Sequence, residues 1–180
     1  MRREAEGLLG MCTNFRSIDG TAEKTGLSAA SVDLVSAGQA FHWFDKPGAK
    51  KEFSRILKPP GFVLLVWNTR DRQRGTFSYD YEELVERHKS DSAGWASSRL
   101  QIDQIREFFG NSEIVTAKLD NKQELDFEQL LARIRSASYM PKAGREFENL
   151  KEAAKSVFAR YQLDGLVTMN YTTEVYFGKI

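Results

Sequence analysis

Residues 32–67 run strand, helix, strand, and this unit constrains the fold more than anything else in the chain. Val32-Asp33-Leu34-Val35-Ser36-Ala37 reads as a buried strand, opening into Gly38-Gln39-Ala40-Phe41-His42-Trp43-Phe44-Asp45. Asp45 is a good helix N-cap and Pro47 fits a first turn. Ala49, Phe53, Ile56 and Leu57 then form an apolar stripe over Lys46–Leu57. Pro59-Pro60-Gly61 must stop that helix, because proline lacks a donor and clashes with the previous turn. Phe62–Trp67 is a nearly continuous apolar run, as expected for a strand covered on both faces. Two such strands joined by a helix imply an α/β domain of the doubly wound kind.

What stands in front of this unit matters as much. In a doubly wound domain the early half holds a strand that turns through glycines into a helix, and that turn cradles a nucleotide-like cofactor. Only about a dozen residues precede the first plausible earlier strand, Asn14–Asp19, too few for an ordinary βαβ unit. No two glycines are spaced Gly-x-Gly. Arg2–Leu9 reads as the last turns of a helix with Ala5, Leu8 and Leu9 on one face, and Gly20–Ser31 as a polar connection.

The 180 residues suffice for one domain with a real core. Lys and Arg number 26 against 25 Asp and Glu, a net charge of +1 that argues against a nucleic-acid binder driven by phosphate contacts. No apolar run approaches the roughly 20 residues of a membrane span, and the first residues lack a secretory signal. Cys12 is the only cysteine, so an internal disulfide is excluded and a reducing cytoplasm is expected.

Further along, helices are expected at Ser78–His88, Leu100–Phe109, Phe127–Ser138 and Glu146–Tyr161, with a loosely alternating strand at Ile114–Leu125. From Val167 to Phe177 the alternation is strict, as in a long antiparallel strand with Val167, Met169, Tyr171, Thr173, Val175 and Phe177 on one face. The polar, aromatic-bearing stretch 70–98 is the segment expected to form a lid or substrate cap within a single domain spanning 1–180.

The chemistry-bearing residues gather where the two clear strands end, the edge at which open α/β sheets bind ligands. His42 follows the first strand between Phe41 and Trp43. It reads either as a base or donor at a pocket mouth, or as a histidine satisfied in an aromatic corner. Trp43 and Trp67 read either as pocket walls or as core closure. Arg70, Arg72 and Arg74 could meet an anion or form a solvated loop. Two distant histidines and one cysteine make no zinc site, and no Gly-x-Ser-x-Gly elbow is present.

Taken together, Gly20-Thr21-Ala22-Glu23-Lys24-Thr25-Gly26-Leu27, Ser31–Val35, Gln39–Phe44, Leu57–Gly61, Val66-Trp67-Asn68 and Tyr171–Gly178 resemble class I S-adenosylmethionine-dependent methyltransferases. The Gln-Ala-Phe-His-Trp-Phe block resembles the branch that contains trans-aconitate methyltransferase. The resemblance implies a Rossmann-like sheet in the order 3-2-1-4-5-7-6 with strand 7 antiparallel. This chain would supply strands 3 to 7, as an N-terminally truncated domain whose glycine-rich cofactor loop is missing. It implies S-adenosylmethionine as cofactor, with Thr21, Ala22, Gln39 and Ala40 lining it. His42 is implied as a base or substrate contact, and Trp43, Trp67 and Asn68 as facing a small-molecule substrate. No metal, nucleic acid or membrane partner is implied. The open edge of the Val32–Ala37 strand leads to an expected homodimer or to pairing by Asn14–Asp19. The alternative is a non-catalytic methyltransferase-like binding module.

Overall fold

The computed structural model describes residues 2–90 and 102–180. Its elements are α1 (Arg2–Leu9), β1 (Val32–Gly38), a 3-10 turn (Phe41–Trp43), α2 (Lys46–Ile56), β2 (Leu57–Arg70) and α3 (Phe77–His88), followed by α4 (Ile102–Phe109), β3 (Ile114–Leu125), α5 (Phe127–Ser136), α6 (Gly144–Tyr161) and β4 (Val167–Lys179). The unit that opens the sequence argument forms as its residues dictate. The Asp45 carboxylate accepts from the Gly48 amide at 3.1 Å, and Ala49, Phe53 and Ile56 turn the buried stripe of α2 inward. At Leu57 the backbone becomes extended, ahead of the two prolines that cannot continue a helix, and β2 begins there.

The four strands lie in the order β1-β2-β4-β3. β1 and β2 are parallel, with Val35 opposite Val63 and Ala37 opposite Leu65. β4 runs antiparallel to both of its neighbours, β2 and β3. This is the 4-5-7-6 portion of the order implied by the resemblance, with the C-terminal strand antiparallel as expected. One expected strand is absent: Asn14–Asp19 forms no ladder. Its Phe15 amide closes a tight turn onto the Cys12 carbonyl, and Ile18 stays 43% exposed. Two isolated apolar residues give it no face to bury. Among the described residues β1 therefore pairs with β2 alone. α1 buries nothing; it is tied to the following turn by a Ser17 hydroxyl donating to Glu6 at 2.5 Å and by an Arg2–Asp19 ion pair.

Two cores sit on opposite faces of the sheet. α2 and α4 cover one face, where Phe53, Val63, Leu65, Trp67, Phe108, Phe109 and Tyr176 pack together. α3, α5 and α6 cover the other, farther along β4, through Val85, Leu130, Ile134, Leu150, Val167 and Met169. The strict alternation of β4 thus does not mark one buried face. Val167, Met169 and Tyr171 are buried, then burial passes to Tyr176 on the opposite side, while Thr173, Val175 and Phe177 are only half-buried. Gly178 allows α4 to approach: a Cβ there would meet the Phe109 ring and the Glu113 carbonyl at 3.0 Å.

Candidate functional site at the carboxyl edge of the sheet

Past Gly38 the chain leaves β1 through Gln39, whose φ of 52° lies in the left-handed region that non-glycine residues seldom adopt. Its side chain holds that turn in place. The Gln39 backbone amide donates to the Val66 carbonyl at 3.0 Å. Its side-chain amide donates to the Asn68 carbonyl at 3.3 Å, and its side-chain oxygen accepts from the Asn68 amide at 3.2 Å. Gln39 thereby extends the β1–β2 ladder beyond the end of the strand. The Asn68 side-chain oxygen accepts in turn from the Thr173 hydroxyl at 2.7 Å.

The 3-10 turn then presents three aromatic side chains in three directions. Phe41 goes into the core, edge-on to Phe108 at 5.0 Å. His42 lies between Trp43, 4.7 Å away, and Trp67, 5.3 Å away. Trp67 is buried, whereas Trp43 is 63% exposed. Burial holds the His42 imidazole below its ordinary pKa, and the nearby Lys46 ammonium pushes in the same direction. The ring is therefore neutral at neutral pH, with its buried Nδ1 atom making no hydrogen bond among the described residues. A neutral imidazole with an orphaned nitrogen, between two indoles at a sheet's carboxyl edge, is suited to accepting a proton or a hydrogen bond.

The Thr21–Thr25 turn is locked beside this mouth. Thr21 and Lys24 exchange backbone hydrogen bonds at 3.1 and 3.2 Å. The Glu23 carboxylate accepts from the Asp45 amide at 2.9 Å, joining the turn to the N-cap of α2. Its own backbone amide, the Thr21 hydroxyl and the Asp45 amide hold Glu23 below the usual carboxylate range. Behind it, the Thr25 amide and hydroxyl both donate to one Glu52 oxygen, at 2.9 and 2.6 Å, while Arg55 donates to both Glu52 oxygens and to the Leu27 carbonyl. Hydrogen bonds from Arg55 and then Thr25 pull Glu52 down to about 2. Sequence reading missed this clamp. Its only signal was a polar Glu52 within the apolar stripe of α2, three residues before Arg55.

The structure thus brings Gln39, Ala40, His42, Trp43, Trp67 and Asn68 together, and sets Thr21 and Ala22 beside them through Glu23. Of the three loop arginines, Arg70 is turned inward, paired with Glu82 and lying 5.4 Å over the Tyr81 ring. Arg74 lies 6.0 Å over Tyr79. Residues 91–98 of the expected lid fall outside the described residues. The rest of that stretch supplies α3, which packs with α5 and α6 over the far ends of β2, β3 and β4.

The residues implied to hold S-adenosylmethionine fit that cofactor poorly on their own. The Gln39 amide is used up on Asn68, and the Thr21 backbone is used up on Lys24. No glycine pair offers backbone donors close together. Among the described residues no cluster of His, Cys, Asp and Glu could hold a metal, and no helix is long and apolar enough to cross a membrane.

The fold is that of Rossmann-like methyltransferases. The chain superposes on a solved Anaeromyxobacter dehalogenans chain assigned as a type II methyltransferase with a TM-score of 0.53 at 17% identity, covering 89% of this chain and 69% of that one. It superposes on the Bacillus subtilis YcgJ protein with a TM-score of 0.52 at 15% identity, covering 98% and 75%. In sequence, the methyltransferase domain family model matches residues 1–65. That segment includes β1, α2 and the start of β2 and stops just short of Trp67. The uncharacterized methyltransferase C25B8.09 of Schizosaccharomyces pombe is 52% identical over 60 residues, which are 32% of this chain and 24% of that protein. The uncharacterized methyltransferase Rv3342 of Mycobacterium tuberculosis is 50% identical over 56 residues, 31% of this chain and 23% of that one. The aligned stretch thus spans about a quarter of these relatives' length. The sequence match to the methyltransferase domain thus lies in the first 65 residues, while the solved structures share the fold over most of the chain.

Proposed function

We propose that the chain carries the substrate-facing part of a domain that transfers a methyl group from S-adenosylmethionine to a small molecule. The observation that carries this reading is His42, neutral and lodged between Trp43 and Trp67, just beyond the strand that the methyltransferase family model covers. S-adenosylmethionine brings an activated methyl group, so the protein's part is alignment, exclusion of water and removal of a proton. In this reading Trp43 and Trp67 wall the substrate, Asn68 fixes the edge, and His42 accepts a hydrogen bond or proton from the substrate. α3, with α5 and α6, forms the cap. The single cysteine, which can form no internal disulfide, favours the cytoplasm.

The misfit of Thr21 and Gln39 to the cofactor leads to a definite expectation. The chain alone should bind S-adenosylmethionine weakly or undetectably, and a micromolar dissociation constant by calorimetry would contradict this. Function is tested in a chimera in which this chain replaces the corresponding portion of C25B8.09, supplied with methyl-labelled S-adenosylmethionine and a cell extract. Label should enter the small-molecule fraction and fall at least about tenfold with His42→Ala. Label confined to protein or nucleic acid would refute the small-molecule reading. A second reading, a non-catalytic binding module, draws on the fully committed Gln39 amide. It would be favoured by a folded chimera that never binds the cofactor.

A further inference from the structure

β3 is the outermost strand on the β4 side of the sheet, and it is long for an edge. It runs twelve residues, Ile114–Leu125, and residues 115–124 are exposed throughout. Edge strands that must stay unpaired are usually short, bent or covered.

The outer side of β3 has free backbone groups. The Asp71 amide donates to the Asn170 carbonyl at 3.0 Å, so Asn170 and, by two-residue alternation, Thr172 and Glu174 turn their backbone toward β2. Tyr171 and Thr173 turn theirs toward β3, opposite Asn121 and Leu119. The odd-numbered residues of β3 are therefore bonded to β4. Thr116, Lys118, Asp120, Lys122 and Glu124 aim their amides and carbonyls outward, where no backbone of the described residues meets them.

Those outward positions also carry a charge pattern. Lys118, Asp120, Lys122 and Glu124 share one face and read plus, minus, plus, minus. Lys118 pairs with Glu174 and Lys122 with Glu124, each at 2.9 Å, and Asp120 has no ion-pair partner among the described residues. Lysines alone along an edge keep other strands away. Alternating signs are more selective, because they admit a strand whose charges run in the opposite order. Antiparallel pairing reverses the order, so a second copy of β3 is such a strand.

We propose that two copies of this chain pair their β3 strands antiparallel about a two-fold axis at Asn121, joining two sheets into one. Lys118 then faces Glu124 of the second copy, and Asp120 faces its Lys122, each twice by symmetry. All these residues point their backbone outward, so the same positions exchange the new hydrogen bonds, and Asn121 faces itself as a non-hydrogen-bonded pair. Charge fixes the register. Moving the axis by one residue sets Asp120 against itself or Lys122 against itself. Moving it to Leu119 keeps only the Lys118–Asp120 pairs. The two-fold axis stands perpendicular to the sheet, so α5 of both copies lies on the same face. Nothing in this pairing depends on methyl transfer.

The test uses the full chain with Cys12, which is exposed, changed to serine. Analytical ultracentrifugation should show a dimer, with amide exchange at Lys118, Asp120, Lys122 and Glu124 slowing as the protein is concentrated. Asn121→Cys should cross-link on oxidation, since facing Cα atoms of such a pair lie about 4.5 Å apart. Leu119→Cys should not, because an offset of four residues holds its two copies roughly 14 Å apart. Asp120→Lys should weaken the dimer at least about tenfold, and Asp120→Lys with Lys122→Asp should restore it, as opposite signs face each other again. Circular dichroism checks that each variant is folded, and the paired reversal separates charge from damage to the strand. A chain that stays monomeric through the micromolar range, a dimer that protects β1 amides instead, cross-linking through Leu119→Cys, or a paired reversal that fails to restore association overturns the proposal.

Discussion

Leu64 and Leu65 are adjacent, chemically identical and on opposite faces of β2, so they measure directly which face is covered. Leu65 is fully buried, opposite Ala37 of β1 and Tyr176 of β4, in the core under α2 and α4. Leu65→Ala removes three carbons there, about 2.4 kcal/mol of transfer free energy at about 0.8 per methylene. The cavity that stays open raises this to about 3–4 kcal/mol. Leu64 is half-buried opposite Ser36 and Phe177. Leu64→Ala loses about half the transfer term, roughly 1 kcal/mol, and leaves no closed void. With a urea slope of about 2 kcal/mol per molar, the midpoints should fall by about 1.5–2 M and about 0.5 M. Circular dichroism against urea is the assay, with unchanged slopes as the check that both are stability effects. A Leu64→Ala shift equal to or larger than that of Leu65→Ala would refute the assignment of Leu65, rather than Leu64, to the covered face of β2.

Three further outcomes are expected. His42 should titrate below 6.5 when followed by its ring-proton NMR signal. Because the unfolded chain takes up that proton first, stability should fall as pH drops through the window just below 6.5, and less so in His42→Gln; a midpoint at or above 6.5 would show the ring is not desolvated. Glu52, at about 2, contributes stability that is fully present above about 4.5 and is lost as pH falls toward 2. Glu52→Gln should remove most of this acid dependence and speed amide exchange at Thr25, and unchanged exchange there would argue against the clamp. Trp43→Ala should change stability by no more than about 0.5 kcal/mol, as its ring is mostly in solvent, while reducing quenching of tryptophan fluorescence by any ligand that enters the mouth to what Trp67 alone gives.

The strand–helix–strand unit was legible because each of its signals is local: a capping Asp45, a Pro-Pro stop and two short apolar runs. β3, β4 and the four later helices were legible from periodicity, to within a few residues at their ends. Asn14–Asp19 was misread because Phe15 and Ile18, three residues apart, suit a short strand or an exposed turn equally well, and only the lack of a surface to bury decides. The flip of burial along β4 was invisible, because Thr173, Val175 and Phe177 keep the same alternation on a face that no described helix covers. At the mouth, the cluster His42–Trp43–Trp67–Asn68 could be read from strand ends. The role of Gln39 could not, since a side chain that completes a ladder looks in sequence like one that awaits a ligand. Of the stretch expected to form a lid, the described part folds as α3, and α5 and α6 pack with it because β3 and β4 overshoot the rest of the sheet.

That overshoot separates two tasks along one rod. β4 serves the inner core through Tyr176 and the outer core through Val167 and Met169, with a middle stretch, Thr172 to Val175, that neither core buries. Sequence drift beneath the three outer helices can therefore reshape what they enclose without disturbing the packing that fixes the histidine and its indoles. Under the methyl-transfer function proposed above, such a chain is free to acquire new acceptors while its reacting edge stays the same.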